Sequence, residues 1–307
     1  MKKILLDITH PAYAHAFHHY ILEQQKENTK FLIYARDKDV THDLLRSWGI
    51  PFLSKGKGAQ SLIPKLLYSI RIIIKMIAGI WRFRPQKIMA FASYHASIAG
   101  WLTRTPVYIY EDTEDVPWLH RINTIFATRM ITPGCFEKEL GKKHYRINSY
   151  KELASLHPSR FNADHNLQPD KPYIMLRFVS WTAWHDRGHS GISLQMKKQI
   201  ITALEKYGKV LITSETELPG EFRRYRYHFP PHQMHSLLAG AELLFSESAS
   251  MAAEAAVLGV PSIFIDDTGR GYTRELEHKY GLLSNFGESD AEISRALIKT
   301  VELLKRD

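Results

Sequence analysis

Short runs of apolar residues alternate with longer stretches of helical periodicity along the first half of the chain. The apolar runs predict strands over Lys3–Ile8, Phe31–Arg36, Pro51–Leu53, Lys87–Phe91, Val107–Tyr110 and Thr128–Ile131. The helical periodicity predicts helices over Ala14–Gln25, Val40–Trp48, Leu62–Phe83 and Ser97–Leu102. Strands that alternate with helices are typical of an α/β fold with a parallel sheet.

The same alternation resumes after a stretch of mixed charge at about 142–171, which we interpret as an interdomain linker. Strands are then predicted over Tyr173–Phe178, Lys209–Thr213, Leu243–Phe245 and Ser262–Ile265. Helices are predicted over Ser193–Tyr207, Gln233–Ala239, Met251–Leu258 and Asp290–Lys305. The prediction is therefore an α/β protein with two doubly wound parallel-sheet domains, at residues 1–150 and 151–307. Ligands of such sheets bind beyond the C-terminal strand ends, so two facing domains would form a central cleft.

The composition is that of a globular protein, with 44% hydrophobic and 24% charged residues among 307. The single cysteine, Cys135, excludes an intramolecular disulfide and favours a reducing cytoplasm. The first ten residues combine two lysines with a short apolar run, which is typical of a first strand rather than of a signal peptide. We therefore expect a cytoplasmic location.

The excess positive charge is concentrated in one segment, residues 55–87. The formal net charge is +9, and this segment has eight basic residues and no acidic one. The charges within its apolar stretch disfavour a transmembrane span. A buried helix, a nucleic-acid surface and a membrane-surface helix are the three alternatives. Long aliphatic side chains beside Lys and Arg favour contact with the inner face of the cell membrane, and no nucleic-acid partner is expected.

The stretch Glu242–Asp267 contains the clearest candidate for a ligand site. Its first strand is followed by a turn of small residues: Ser246, Ser248, Ala249 and Ser250. The predicted helix that follows has Gly259 at its C-cap and is not prolonged past Pro261. Small residues let backbone N–H groups approach a phosphate closely, and the helix N-terminus adds a partial positive charge. Glu254, in the first turns of the helix, could accept two vicinal hydroxyls of a ribose. An ordinary βαβ unit with a Ser-rich turn would show the same pattern.

The run from Ser246 to Pro261, S-E-S-A-S-M-A-A-E-A-A-V-L-G-V-P, resembles the donor-site motif of UDP-N-acetylglucosamine 2-epimerases and GT-B glycosyltransferases. The resemblance implies that Ser248, Ala249 and Ser250 line the diphosphate and that Glu254 binds the ribose. Ala249 and Ser250 stand where those families often have Gly-Gly, which still leaves room for backbone approach. Further motifs, including D-I-x-H-P-A from Asp7 and E-D-T-E at 111–114, resemble a prokaryotic family of unknown function with GT-B-like architecture.

This resemblance implies two Rossmann-like domains facing a central cleft, an N-terminal one for the acceptor and a C-terminal one for a nucleotide-sugar donor. It implies a metal-independent glycosyltransferase without a cofactor. The sugar would pass from a nucleotide-diphosphate sugar, with UDP as the expected nucleotide, to a cell-surface glycan or a lipid-linked acceptor. Two alternatives stay open: a sugar-nucleotide 2-epimerase of the same fold, and a non-catalytic nucleotide-sugar-binding protein.

Two places in the N-terminal half could supply a catalytic base. His10 directly follows the first strand, where a histidine can take a proton near neutral pH or hold a sugar hydroxyl; it could instead cap the next helix. A run of carboxylates follows the strand Val107–Tyr110. Like charges this close should raise at least one carboxyl pKa, so Asp112 or Glu114 is an alternative base, and a solvated acidic loop is the structural alternative.

Other candidate residues lie beyond strand ends in the C-terminal half. Arg177 or Arg270 could neutralise a leaving diphosphate, or either could form a surface ion pair. Ser180 and Thr213 are assigned to the donor as well, and the resemblance places 229–235 near the nucleobase. Histidines at positions 15, 18 and 19 have spacings that could hold a metal, but no further ligand accompanies them, and we predict no metal site.

Overall fold

The computed structural model describes residues 1–59, 61–169, 172–179, 191–214 and 217–305. The chain forms two compact units, Met1–Ser155 and Leu156–Asp307. The boundary follows residue 155, whereas the sequence pattern suggested residue 150.

The first unit contains a parallel sheet of seven strands in the order β3-β2-β1-β4-β5-β6-β7. Its strands are β1 (Lys3–Ile8), β2 (Lys30–Ala35), β3 (Leu53–Ser54), β4 (Lys87–Phe91), β5 (Val107–Tyr110), β6 (Arg129–Pro133) and β7 (His144–Ile147). Its helices are α1 (Pro11–Lys26), α2 (Thr41–Ser47), α3 (Leu62–Phe83), α4 (Tyr94–Leu102) and α5 (Pro117–Phe126), and the short α6 (Leu153–Leu156) lies at the unit boundary.

Helices cover both faces of this sheet, and the side chains of β1 show the reason. Successive residues of a strand point to opposite faces. Leu5 therefore packs in one core with side chains of α3 and α4, while Ile4 and Leu6 pack in a second core with α1 and α2. An apolar strand with helices on both sides is what the continuous hydrophobic run of β1 predicts.

The second unit repeats this construction with a parallel sheet of five strands in the order β12-β11-β10-β8-β9. Its strands are β8 (Tyr173–Phe178), β9 (Lys209–Ser214), β10 (Leu243–Ser246), β11 (Ser262–Ile265) and β12 (Leu283–Phe286). Its helices are α7 (Leu194–Leu204), α8 (Met234–Ala239), α9 (Ala249–Val257), α10 (Gly271–His278) and α11 (Asp290–Leu304). These two doubly wound parallel sheets confirm the predicted α/β class.

Each sheet has one point at which the strand order reverses. In the first sheet β1 lies between β2 and β4, and in the second β8 lies between β9 and β10. Helices leave such a switch point toward opposite faces, which opens a crevice beyond the C-terminal strand ends. The two crevices lie beyond β1 and β4 and beyond β8 and β10.

Some element predictions were wrong. The predicted linker at 142–171 begins with a strand, β7, and also contains α6 and the 3-10 turn His165–Leu167. The third strand is Leu53–Ser54 rather than Pro51–Leu53. The sequence pattern did not predict α5, α10 or β12.

Candidate functional site

The switch point of the second sheet ends in a serine-capped helix, α9. Ser246, the last residue of β10, accepts the N–H of Ser248 on its hydroxyl at 2.8 Å. Ser248 in turn accepts the N–H of Met251 on its own hydroxyl at 3.4 Å, as an N-cap residue does. No intrahelical carbonyl can reach the first-turn amides of Ala249 and Ser250. These residues are half-buried, so the arrangement fits an anion at the helix N-terminus.

Helix α9 ends as the sequence predicts. Gly259 follows the helix with a φ of +79°, in the left-handed region that glycine adopts without strain. Its N–H donates to the carbonyl of Ala256 at 3.0 Å, and the N–H of Val260 donates to the carbonyl of Ala255 at 2.9 Å. This pair of bonds is the Schellman motif, and it turns the chain directly into β11.

Glu254 lies on α9 with a histidine beside it. The residue is only 8% exposed, and its Oε2 atom lies 3.5 Å from Nε2 of His235 on α8. The sequence predicted Glu254 at the ribose and 229–235 near the nucleobase. Their contact brings these two predicted positions together within one unit.

Two predicted donor residues, Arg177 and Thr213, form a row with Ser246 across the second sheet. Arg177 lies in register between Thr213 on β9 and Ser246 on β10. The buried Thr213 hydroxyl donates to the carbonyl of Leu176 at 3.4 Å, so this group links β9 to β8. Arg177 is half-buried at the switch point, next to the strand that leads into α9.

Glu247 is a residue of this region that the sequence did not single out. Its carboxylate accepts the backbone N–H groups of Val179 at 3.0 Å and of Ile192 at 2.7 Å. Lys197 lies 3.8 Å from the same carboxylate. Burial raises the pKa of Glu247, and Lys197 opposes that shift. The sequence could have indicated Glu247 as a site residue, because it is the one charged residue in the motif S-E-S. Ser180, which the sequence assigned to the donor, lies outside the described residues.

Arg270 holds its own loop. It is the residue before α10, and its guanidinium donates to the Thr268 hydroxyl at 2.7 Å and to the Gly269 carbonyl at 2.8 Å. Its backbone N–H donates to the Thr273 hydroxyl at 3.2 Å, which fixes the start of the helix. A role for Arg270 at a diphosphate stays a prediction.

In the first unit, His10 occupies the N-cap of α1. Its Nδ1 atom accepts the N–H of Ala12 at 3.3 Å. A ring nitrogen that accepts a hydrogen bond carries no proton itself. The structure therefore describes the capping alternative, and a role for His10 as a base or as a partner of a sugar hydroxyl stays a prediction.

The switch point of the first sheet contains a buried ion pair. Asp7 of β1 is fully buried, and Lys55 lies 2.7 and 2.8 Å from its two carboxylate oxygens. The hydroxyl of Ser93, the N-cap of α4, donates to the same carboxylate at 2.5 Å. The prediction that residues 55–87 lie on the surface is therefore wrong for Lys55, because this pair requires it inside. The sequence could have indicated this buried pair, because Asp7 is an acidic residue within the apolar strand β1 and buried acidic residues are usually paired.

His95 lies two residues beyond Ser93 and is 8% exposed. Its Nε2 atom has no hydrogen-bond partner among the described residues. Burial, with Lys55 nearby, lowers the pKa of His95 to about 4, so the ring is neutral. It stacks on Tyr94 with ring centroids 4.1 Å apart.

The predicted carboxylate cluster follows β5, and Glu111 is its most perturbed member. Glu111 is 1% exposed, and its Oε2 atom has no hydrogen-bond partner among the described residues. Burial first, and the charge of Asp112 second, raise the pKa of Glu111 to about 8. The sequence predicted a raised carboxyl pKa from the like charges of this cluster, with Asp112 or Glu114 as the base. The raised pKa is found on Glu111 instead, and burial contributes more to it than the neighbouring charge does.

Asp112 and Glu114 have different surroundings from Glu111. Asp112 lies 2.6 Å from the ammonium of Lys151, which also lies 2.7 Å from the buried carboxylate of Glu152. Burial raises the pKa of Glu152 while Lys151 opposes that shift. Glu114 is buried, and its backbone carbonyl accepts from Lys138 at 2.7 Å. The solvated-loop alternative is therefore wrong for these two carboxylates.

The histidines of α1 pack on an aromatic ring. His18 stacks on Trp48 with centroids 4.0 Å apart, and His15 meets the same ring edge-on at 5.1 Å. Burial lowers the pKa of His18 to about 4. Within the residues that the structure describes, no group of three or more His, Cys, Asp or Glu side chains could hold a metal ion.

The sequence and the fold of the whole chain can be compared with those of known proteins. The model of the family described as "Protein of unknown function (DUF354)" matches residues 2–268. No curated protein sequence matches the chain.

Solved structures share the fold of nearly the whole chain. The UDP-GlcNAc 2-epimerase from Neisseria meningitidis, bound to UDP-GlcNAc, has a TM-score of 0.69 at 16% identity, covering 99% of this chain and 93% of its own. The Methanocaldococcus jannaschii UDP-GlcNAc 2-epimerase, with UDP-GlcNAc and UDP, has a TM-score of 0.65 at 13% identity, covering 99% and 93%. The spinosyn rhamnosyltransferase SpnG, with thymidine diphosphate, has a TM-score of 0.63 at 11% identity, covering 100% and 92%.

Proposed function

The chain belongs to the family described as "Protein of unknown function (DUF354)" and has the fold of GT-B-like epimerases and transferases, and from this premise we propose that it is a metal-independent GT-B glycosyltransferase. Its donor is a nucleotide-diphosphate sugar, with UDP the expected nucleotide. Its acceptor is a cell-surface glycan or a lipid-linked glycan. The similar structures were solved with UDP-GlcNAc, UDP or thymidine diphosphate, which supports the donor class.

The observation that carries the proposal is the combination of α9 and Glu254. The first turn of α9 offers amides and a partial positive charge to a diphosphate, with no acidic residue in that turn to oppose it. Glu254 lies on the same helix and offers a carboxylate to ribose hydroxyls. Arg177, on the adjoining strand, would stabilise the negative charge that develops on the leaving diphosphate.

Glu111 is the group best suited to proton transfer. A general acid or base works best when its pKa lies near the working pH, and the pKa of Glu111 is about 8. When ionised, it is a stronger base than an ordinary carboxylate and could take the proton of an acceptor hydroxyl. The charge of the neighbouring Asp112, which pairs with Lys151, adds to the effect of burial on the pKa of Glu111.

Thermal shift with UDP, UDP-sugars and thymidine diphosphate tests the donor site. We expect UDP compounds to stabilise the parent protein and to bind Glu254→Gln about 10- to 100-fold more weakly, because a hydrogen bond to a charged group is worth about 1.5–3 kcal/mol. Glu277→Gln is the matched control, because the Glu277 carboxylate also binds a partner in this unit, the Asn285 amide. Equal stabilisation of all three proteins would refute the ribose assignment.

A 2-epimerase is the second candidate, and the buried carboxyl of Glu111 favours it. Epimerisation must move a proton at carbon 2, and a carboxyl that exchanges its proton near neutral pH suits that step. Incubation with UDP-GlcNAc alone in D₂O separates the two functions. A transferase leaves carbon 2 unlabelled and releases UDP when an acceptor is added. Deuterium at carbon 2 without any acceptor would establish the epimerase instead.

A further inference from the structure

Helix α3 exposes more large apolar side chains than its packing requires. Only one face of it enters the core, through Ser69, Ile72, Met76 and Ile80. The far side carries large apolar residues with relative exposures between 45% and 72%: Ile63, Leu66, Leu67, Ile70, Ile74 and Trp81. An exposed contiguous apolar surface of this kind marks an interaction site. We infer that the exposed face of α3 is a docking surface for an anionic lipid bilayer.

The sequence of α3 places this apolar face beside a basic one. Ile70, Ile74 and Trp81 share one stripe, because residues four and seven apart lie on the same side of a helix. The residue after each of them is basic: Arg71, Lys75 and Arg82. The basic residues therefore form a second stripe with the same spacing along one flank of the apolar stripe. A helix with this cross-section lies in the membrane interface, its apolar face among the acyl chains and its cations at the headgroups.

Charge selects a lipid surface over a second copy of this chain. The segment 55–87 has no acidic residue. Apart from the buried Lys55, its basic residues pair with no carboxylate among the described residues, and the one internal bond of the basic stripe runs from the Lys75 ammonium to the Ser54 carbonyl at 2.7 Å. A second α3 would bring the same cations and no anion to pair with them. Anionic headgroups complement these cations, at about 1 kcal/mol per basic residue near the surface.

The helix rests on the surface of the bilayer rather than crossing it. In the described part of the chain, no helix is long and apolar enough to span a membrane. The inner face of α3 is also occupied, because the Tyr34 hydroxyl donates to the Lys75 carbonyl at 3.0 Å and the Ser69 hydroxyl lies 2.7 Å from that of Tyr94. The inference depends on α3 alone and does not require the proposed transferase activity.

The test is sedimentation of the whole protein with vesicles of phosphatidylcholine, with and without phosphatidylglycerol. We expect binding to the phosphatidylglycerol vesicles that weakens with salt, and little binding to phosphatidylcholine alone. Ile70→Ser with Ile74→Ser should lower the binding constant at least tenfold, and Arg71→Gln with Arg82→Gln about fivefold per charge.

The matched controls are Ile298 on α11 and Lys206 just after α7, both in the second unit. Ile298 is 61% exposed, against 60% for Ile74, so Ile298→Ser removes a similar side chain from a different helix. Lys206→Gln removes an exposed charge outside α3. Both should bind vesicles like the parent. Loss of binding in these controls equal to that in the α3 variants would overturn the inference. The inference would also be overturned if the parent protein bound both kinds of vesicle equally. A dimer in solution that the double substitution Ile70→Ser with Ile74→Ser dissociates would overturn it as well.

Discussion

Glu111 lies in surroundings that disfavour its ionised form, and this has a consequence for stability. Its pKa in the folded protein is about 8, against an ordinary value of 4.5, so the folded state binds the proton more tightly than the unfolded state does. The stability that this group contributes is complete below the unfolded pKa and is lost as the pH rises toward the folded one. One such group changes the free energy of unfolding by about 1.4 kcal/mol per pH unit.

Glu111→Gln should therefore flatten the pH dependence of stability. Glutamine fills nearly the same space and cannot ionise, so the variant loses the decline that the parent shows from about pH 5 to about pH 8. Urea unfolding at several pH values measures both curves. The difference between the curves isolates Glu111 from Glu152 and Glu247, whose pKa values are also raised. Parallel curves would show that Glu111 titrates normally.

The buried pair of Asp7 and Lys55 gives a second prediction at this scale. Lys55→Met leaves the carboxylate of Asp7 without its ammonium in a fully buried position, which should cost about 3–5 kcal/mol of unfolding free energy. Adding Asp7→Asn removes the unpaired charge and should recover part of that loss. Lys57→Met, two residues away and exposed, should change stability by about 0.5 kcal/mol or less. Chemical unfolding compares the four proteins, and equal losses for both lysine variants would contradict the assignment.

These residue contacts were beyond the reach of sequence patterns. Periodicity reports which face of an element is apolar, but it does not report which distant residue arrives there. Lys55 is 48 positions from Asp7, and Lys151 is 39 positions from Asp112. The pattern placed a carboxylate cluster after β5 correctly, yet only the packing distinguishes its members. Among the described residues, Glu111 has a buried carboxylate oxygen without a hydrogen-bond partner, whereas Asp112 pairs with Lys151.

Elements were predicted well where the apolar period is strong. Helix α3 and strand β8 have the predicted bounds because their apolar residues form long or continuous runs. Helix α5 was missed because polar residues face its core. His120 bonds to the Thr113 carbonyl at 2.9 Å, and Asn123 accepts from Ser97 at 2.7 Å, while the apolar Trp118 and Ile125 are exposed. Strand β7, with the sequence HYRI, is at the sheet edge and has no apolar run.

The contact of α3 with β2 depends on Gly79. A Cβ atom on Gly79 would lie 2.1 Å from the hydroxyl oxygen of Tyr34, too close to be accommodated without movement. We expect Gly79→Ala to lower the unfolding free energy by about 1–3 kcal/mol despite the better helix propensity of alanine. Tyr34→Phe with Gly79→Ala should recover part of this loss, because the nearest ring atom is then 3.2 Å away. A double-mutant cycle by thermal unfolding measures the coupling, and additive losses would show that the two residues do not meet.

For the whole molecule, the central question is which of the two sheets receives the nucleotide. Both switch points end in a helix capped by a serine, Ser93 for α4 and Ser248 for α9. Ser289 caps α11 in the same way, away from any switch point. Their surroundings differ: Ser93 donates to the buried Asp7 carboxylate, and the first turn of α11 contains Asp290 and Glu292. Neither of these two sites favours a diphosphate, because the cap hydroxyl of α4 already donates to a carboxylate and acidic residues occupy the first turn of α11.

Hydrogen exchange measured by mass spectrometry can compare the three helix ends in one experiment. Saturation with UDP should slow exchange at the first-turn amides of Ala249 and Ser250 in α9, because these N–H groups would donate to the diphosphate. The corresponding turns of α4 and α11 should exchange as in the free protein, and Glu254→Gln should require more UDP for the same protection. Protection centred on α4 would place the nucleotide on the first unit and reverse the donor and acceptor assignments. A uniform slowing of exchange across both units would mean that UDP raises the global stability of the protein and that its protection is not localised at α9.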